Sequence, residues 1–462
     1  MKRSYEIDMC NGPLLGKLLR FAIPLMFSSI LQLLFNAADI VVVGQFTGSQ
    51  ALAAVGSTSS LNNLIINIFM GLSIGSNVIM AQDYGAQHWD EVHDDVHTSM
   101  LLSAVSGVIL IFLGILLAEP MLQLMGTPDD VLEQSVLYMR IIFVGMPAFM
   151  IYNFGAALLR AVGDTRRPLI FLLIAGVLNV LLNLFFVIVW NMGVAGVALA
   201  TIISQALSAA LVVMCLIQDH GYYHLSIREL RIKKKKFLSI VRVGLPAGIQ
   251  GAVFGISNVT VQSSVNSFGS LVMAGHTASS NIQGFVYNAM CAFYQASLSF
   301  TSQNVGAQKP KRVLAVLGRC MACTSAVGLV LGGLAVLFGP QLLSIYSPDP
   351  DIVPFGMQNL YVLCLTYYLC GMMDVACGAI RGLGYSVTPT IVSLAGACGV
   401  RVLWIYTAFA ANRSLFMLYL SYPVSWAVAL LGHLICFIIF FHRWKKKAGT
   451  VSPQESKGSS NI

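Results

Sequence analysis

Twelve stretches of predominantly apolar residues follow one another along this chain. They lie at about 18–44, 51–80, 98–118, 134–156, 168–190, 193–217, 238–265, 271–302, 313–338, 355–378, 388–410 and 415–441. Each is near or above the ~20 residues a helix needs to cross a bilayer. Hydrocarbon offers no water to satisfy backbone N–H and C=O groups, so such runs must pair those groups internally, as helices. The pattern predicts an all-α polytopic membrane protein with twelve transmembrane helices. Composition agrees: 57% of the 462 residues are hydrophobic and 10% charged, where an average soluble chain carries roughly 25% charged residues. That balance excludes a cytosolic enzyme, a nucleic-acid-binding module and a disordered scaffold, whatever the net charge of +8 implies in isolation.

The basic residues sort by side. With both termini placed in the cytoplasm, only Arg140, Arg401 and Arg413 of the 27 Lys and Arg residues fall within the membrane or outside. The outer loops carry Glu119, Asp129, Asp130, Glu133, Asp349 and Asp351 instead. Lys and Arg accumulate on the cytoplasmic side of membrane proteins, so both ends are expected inside a cell membrane. One inner loop dissents: residues 82–97 are acidic and hold no Lys or Arg. The N-terminus lacks the pattern of a cleavable signal.

The chain is written twice. RFAIP (20–24) recurs as RVGLP (242–246), QDYGAQ (82–87) as QNVGAQ (303–308), PMLQLMGTPDD (120–130) as PQLLSIYSPDP (340–350), and LLRAVGDTRRP (158–168) as AIRGLGYSVTP (379–389). A single shift of about 221 residues aligns spans 1–6 with spans 7–12. An even number of spans per unit makes the two repeats parallel, related by an axis along the membrane normal, with a central cavity between two bundles. The organisation expected is a cytoplasmic N-terminus (1–17), a first lobe (18–218), a basic cytoplasmic linker (219–237), a second lobe (238–443) and a polar cytoplasmic tail (444–462). The linker, with IKKKK at 232–236, fits both a headgroup-bound segment and a solvated charge run that enforces topology.

The spans, the repeat and these strings together resemble the multidrug and toxic compound extrusion (MATE) family, from about residue 10 to 443. FNAADIVVVGQF (35–46), QDYGAQ, LLRAVGDTRRP and MMDVACGAIRGLGYS (372–386) stand where that family has similar strings. The major facilitators, also twelve spans in parallel halves, typically carry a basic Gly-Asp-Arg motif between spans 2 and 3. Here that loop reads AQDYGAQHWDEVHDDVH. The resemblance implies secondary active efflux of amphiphilic, often cationic small molecules, driven by inward flow of Na⁺ or H⁺, with no cofactor. A lipid-linked saccharide or metabolite flippase of the same superfamily is the alternative. It would need a cavity rich in Arg and Lys, and Arg401 alone stands at mid-depth. H-E-x-x-H and G-x-S-x-G motifs are absent, so an enzyme is not expected. Membrane lipids are the expected surroundings, and a self-contained pair of bundles is expected to work as a monomer.

Ionisable groups at membrane depth cost roughly 2.5–3.5 kcal/mol each on insertion scales, so each is a functional candidate. Three stand out: Asp39, Asp374 and Arg401. Asp39 lies near the outer end of span 1. Asn179 and Asn183 of span 5 are spaced i, i+4 and share a face, and Thr201 of span 6 reaches the same outer half. Together they offer a carboxylate, two amides and a hydroxyl, an oxygen set suited to a hard monovalent cation. The same carboxylate could take up a proton instead. One MATE subgroup uses such a set in its N-terminal bundle, and Asp39, Asn179, Asn183 and Thr201 match its positions. Where that pattern has a second acid in span 5, this chain has Asn183.

In the second lobe, helical rise puts Asp374 ~10 Å and Arg401 ~18 Å from the inner surface, within reach of an Asp374–Arg401 pair of structural or gating use. Pro24 lies within span 1, where the resemblance implies a hinge linked to substrate release. His88, His93 and His97 with Asp94 and Asp95 have metal-like spacing but fall in or beside a short loop, which favours a solvated segment. No metal is expected beyond Na⁺ at Asp39.

Overall fold

The computed structural model describes residues 5–219, 221–346 and 349–450, and among them it is all-helical. The first lobe comprises α1 (Leu14–Phe46), α2 (Ser49–Gly85), α3 (Trp89–Leu124), α4 (Asp129–Val144), α5 (Met146–Ala161), α6 (Arg166–Leu184) and α7 (Gly193–Gln218). The second comprises α8 (Lys234–Asn266), α9 (Ser270–Gly306), α10 (Pro310–Leu337), α11 (Gly339–Tyr346), α12 (Val353–Gly382), α13 (Val387–Ser393), α14 (Val400–Trp404) and α15 (Leu415–Thr450).

Ten helices, and one bent pair, are long and apolar enough to cross a membrane. The pair is the expected fourth span. It divides into α4 and α5, which meet at 48°, because Pro147 has no N–H to continue the helical ladder at the start of α5. The remaining span, the expected eighth, is α9. It fails on apolarity alone, since it carries Ser279, Gln283, Ser297, Ser299, Thr301, Ser302, Gln303 and Asn304, all buried against protein rather than lipid. The eleventh span is α13 and α14 joined by the π-helical turn Leu394–Gly399 and followed by a second, Ile405–Phe409. A matching π-turn, Phe185–Val189, ends α6. Three boundaries move: α1 begins at Leu14, inside the expected N-terminus, α8 begins at Lys234, inside the expected linker, and α15 continues through Thr450, into the expected tail. Residues 451–462 of that tail lie outside the described residues.

The sequence repeat reappears as repeated geometry. QDYGAQ ends α2 and QNVGAQ ends α9, each with a glutamine in the left-handed region: Gln87 at φ 60° and Gln308 at φ 54°. In both, the next residue closes a 6→1 hydrogen bond, His88 N to Asp83 O (3.0 Å) and Lys309 N to Asn304 O (2.9 Å). That is a Schellman stop with glutamine in the place glycine usually takes.

The ends of α2, α5, α7, α9, α12 and α15 and the starts of α1, α3, α6, α8, α10 and α13 lie on one side, with the linker and most of the basic residues; we call it the basic end. The lobes meet there. Gln82 donates to the Gly382 carbonyl across the interface (2.8 Å), and its repeat mate Gln303 donates to that of Ala161 (2.6 Å). Gly85 and Gly306 make the approach possible: a Cβ on either would fall on the carbonyl of Gln303 or Gln82 in the opposite lobe. Gly71 of α2 likewise lies on the backbone of Gly244 and Gly248 of α8. Small residues at such crossings let helix backbones touch.

Helix α1 is shared. Its first half (Leu14, Leu18, Phe21, Ala22, Leu25) packs into a core with Phe293, Phe300, Phe437 and Phe441 of the second lobe. Its last turns (Val42, Val43) pack with Ala51, Ala54 and Val187 of the first. Pro24 lies near the end of the second-lobe packing, and the helix runs through it unbroken.

Candidate functional site

The four residues expected to form an ion site come together. The Asn183 amide donates to Asp39 Oδ1 and lies 3.4 Å from Asn179 Oδ1; the Asn179 amide in turn lies 3.4 Å from Thr201 Oγ1. Thr201 donates to the Val197 carbonyl one turn back (3.0 Å). Helical spacing brings the two asparagines onto one face of α6, and that face meets α1 on one side and α7 on the other. The chain of groups therefore runs from Asp39 through both amides to Thr201. Asn183 is fully buried, and its Oδ1 has no hydrogen-bond partner among the described residues. A buried acceptor left over beside a carboxylate is what a cation or a proton-bearing partner would satisfy. The donor set thus fits a hard monovalent ion.

Asp39, Asn179 and Thr201 line a cavity of about 440 Å³ inside the first lobe. Further amides contribute to its polar wall: Gln32, Asn36, Asn63, Asn153 and Gln205. Phe35 and Phe149 supply apolar surface. Among the described residues Asp39 is the only charged one in the lining, so no cationic side chain among them competes with an entering cation. The sequence points to the acid end of this cavity with Asn179 and Thr201, and not to these further amides. Asn36 was discoverable, three residues from Asp39 on the same helix face; Asn63 and Gln205 carry no local signal.

In the second lobe the expected Asp374–Arg401 pair does not form. Arg401, 3% exposed, donates to Asn258 Oδ1 (3.1 Å) and lies 3.4 Å from Ser425 Oγ. Its guanidinium lies 4.1 Å from the centroid of the Tyr422 ring. Asp374 faces Tyr287 of α9 and the more distant Arg381. The depths along the helices are compatible with a pair, but Arg401 points towards α8 and α15 while Asp374 points towards α9. Arg401 also sits between the two π-turns of its span, which rotate its face relative to an ideal helix. Arg381, in the last turn of α12, is itself 4% exposed. It donates to Tyr294 Oη (2.8 Å) and Gln250 Oε1 (2.9 Å).

His93, His97 and Glu229 come together closely enough to resemble a metal cluster. His97 has both ring nitrogens engaged, however: Nδ1 with the His93 carbonyl (2.7 Å) and Nε2 with the Ser226 N–H (3.0 Å). It serves as a structural bridge to the linker.

Comparison with known proteins adds to this geometry. The model of the MatE family matches residues 24–185 and 246–407, one match for each half of the repeat. The chain is similar to the probable multidrug resistance protein YoeA of Bacillus subtilis (strain 168), 27% identical over 439 residues, covering 92% of this chain and 93% of that protein. Among solved structures it is similar to one described as "Crystal structure of MATE in complex with MaL6". The TM-score is 0.89 at 21% identity, covering 96% of this chain and 100% of the other. A second, "Outward-facing conformation of a multidrug resistance MATE family transporter of the MOP superfamily", gives a TM-score of 0.84 at 20% identity, covering 97% and 99%.

Proposed function

Because the chain belongs to the MatE family, whose members are membrane transporters rather than enzymes, we propose that it is a secondary active efflux transporter. It exports amphiphilic, often cationic small molecules in exchange for Na⁺ or H⁺. The observation that carries this reading is the continuous set Asp39, Asn183, Asn179 and Thr201 on a cavity whose lining, among the described residues, has no other charge. An ion entering from the far side reaches a lone carboxylate, flanked by amides that hold it in place. The names borne by similar proteins, such as the multidrug resistance protein of Bacillus subtilis, support drug-like substrates.

The basic end then faces the cytoplasm of a cell membrane, with both termini inside, as the distribution of Lys and Arg favours. The lobe boundaries near 18–218 and 238–443 belong to this same reading. Transport proceeds by alternating access. The lobes meet at the basic end and open a cavity away from it, then exchange this contact for one at the far end. A single protomer contains both lobes and the whole ion site, which supports action as a monomer. Asp39 holds the ion, and Asn179, Asn183 and Thr201 shape its site.

The test is export by cells carrying Asp39→Asn, expressed at the parental level. Cationic-dye efflux is expected to fall at least tenfold. Efflux at the parental rate would sink the assignment.

A further inference from the structure

The residues ahead of α1 form a structure of their own. Residues 5–12 cross the basic end from one lobe to the other. On the first-lobe side, the hydroxyls of Tyr84 of α2 and Tyr223 of the linker each donate to a Glu6 carboxylate oxygen at 3.0 Å. Burial and the neighbouring Glu6 push the Tyr223 hydroxyl well above its ordinary range, so it stays a donor. Ile7 lies against the turn at Gly163, where a Cβ would meet its backbone.

On the second lobe, Arg312 reaches three carbonyls with its guanidinium: Met9 through Nε (2.8 Å), Gly12 through Nη1 (3.0 Å) and Asn11 through Nη2 (2.8 Å). Lys309 holds the Cys10 carbonyl (3.0 Å) and the Asn11 side chain (2.7 Å), and Asn304 holds the Met9 carbonyl (3.1 Å). Met9 is fully buried in the core that α1 shares with the second lobe.

The linker does the same in reverse. In the register of the repeat, residues 5–12 correspond to 226–233. Those residues, with Lys235 and Lys236, grip the α2–α3 corner of the first lobe as residues 5–12 grip the α9–α10 corner of the second. The fastenings differ in kind. The linker is held by ion pairs to Asp83, Glu91, Asp94 and Asp95. Arg312 and Lys309, among the described residues, hold only neutral acceptors of the N-terminal segment.

We propose that residues 5–12 are a releasable clasp on the basic-end gate, and that Arg312 is the positioning residue that keeps it fastened. The inference rests on alternating access as the mode of transport. Only three peptide units separate Glu6, fastened to the first lobe, from Met9, fastened to the second. At most about 3.6 Å of chain per residue gives this bridge little slack. The lobes cannot part at the basic end by more than a few ångströms while both attachments hold. The neutral, carbonyl-held side is the one that lets go. Arg312 touches no substrate; it acts through the clasp on how often the gate opens.

The test places spin-labelled noncanonical residues at Asp90 and Lys311, equivalent exposed positions beside the two corners. Distance distributions are recorded on the full chain. The rate of maleimide modification at native Cys10, whose Sγ lies 3.6 Å from the Gln303 carbonyl, is read by mass spectrometry. Arg312→Gln is expected to raise the Cys10 rate at least tenfold and to add a longer-distance population, with Arg312→Lys restoring much of both. Lys309→Gln serves as the second variant should the first fold poorly. Gly85→Leu, which wedges the gate mechanically at the Gln303 backbone, is the control that opens it while leaving Arg312 and Lys309 in place. An open gate in Gly85→Leu, with parental distances and a Cys10 rate within twofold of the parent in Arg312→Gln and Lys309→Gln, overturns the clasp alone. A single distance population in every variant, Gly85→Leu included, overturns alternating access and the clasp with it.

Discussion

Asp39 and Arg401 show two ways of keeping an ionisable side chain at membrane depth. Arg401 is enclosed by Asn258, Ser425 and the face of Tyr422, so its charge is met by fixed neutral groups. Asp39 has one amide donor and a cavity in front of it, so its compensation can come and go. The first arrangement is structural and the second suits an exchangeable ion. Because Asp374 and Arg401 share no bond, their substitutions should act independently. A double-mutant cycle of Asp374→Asn with Arg401→Gln, read by thermal or denaturant unfolding in detergent, is expected to give a coupling within about 0.5 kcal/mol of zero. A coupling of about 3 kcal/mol would restore the direct pair. Sequence reasoning failed at this pair for a definable reason. Counting residues gives depth along a helix, whereas pairing depends on azimuth, and the π-turns on either side of Arg401 shift azimuth without a signature in the sequence. At Asp39 the same counting succeeded, because the i, i+4 spacing of Asn179 and Asn183 fixes azimuth as well as depth.

Among the elements, α1, like its repeat mate α8, belongs to both lobes. Its first half is buried in the second-lobe core and its last turns in the first-lobe core, with Pro24 near the end of the former. Proline inside a helix removes a hydrogen bond and costs about 3 kcal/mol. The cost falls on a helix that, in the transport cycle proposed, must accommodate movement between two bodies. Pro24→Ala is therefore expected to raise the unfolding temperature in detergent while slowing efflux severalfold at unchanged expression. A variant that is stabilised and exports at the parental rate would leave Pro24 a packing residue only. The twelve spans and the repeat were legible because hydropathy and self-similarity are properties of the chain itself. The break in the fourth span was hidden, although Pro147 marks it, because a proline inside an apolar run is compatible with kink and break alike. The membrane status of α9 was legible only through length, since its many Ser, Asn and Gln residues are tolerated by burial against α2, α8 and α12 rather than by lipid.

At the scale of the whole molecule, the acidic loop that breaks the positive-inside pattern has its explanation in the linker. Asp94 pairs with Arg231 and Lys233, Glu91 with Lys235, and Lys236 sits among Asp83, Glu91 and Asp95. The dissenting charges are neutralised by the basic segment that joins the lobes, a pairing across more than a hundred residues that loop-by-loop counting cannot see. Lys236 and Asp95 are 5% and 1% exposed. Lys236→Met should therefore leave a buried acid without its cation and destabilise the protein by about 3–5 kcal/mol. Lys235→Met, at an exposed pair, should cost no more than about 1 kcal/mol. Equal unfolding temperatures for the two variants would contradict this account of the linker. The N-terminal segment was illegible for a related reason: eight residues that mix Glu6, Asp8 and Asn11 with Ile7 and Met9, without helical periodicity ahead of a span, look like a solvated lead-in, and only the repeat register, which sets them opposite the linker, hints at docking.

The central claim is that an ion bound at Asp39 drives export, and reconstituted transport tests it most directly. Purified parent and Asp39→Asn would be placed in dye-loaded proteoliposomes, with a Na⁺ or a proton gradient imposed separately. Dye movement driven by one of the two gradients in the parent and lost in Asp39→Asn is the predicted result. Gradient-driven transport that persists undiminished in folded Asp39→Asn would contradict it.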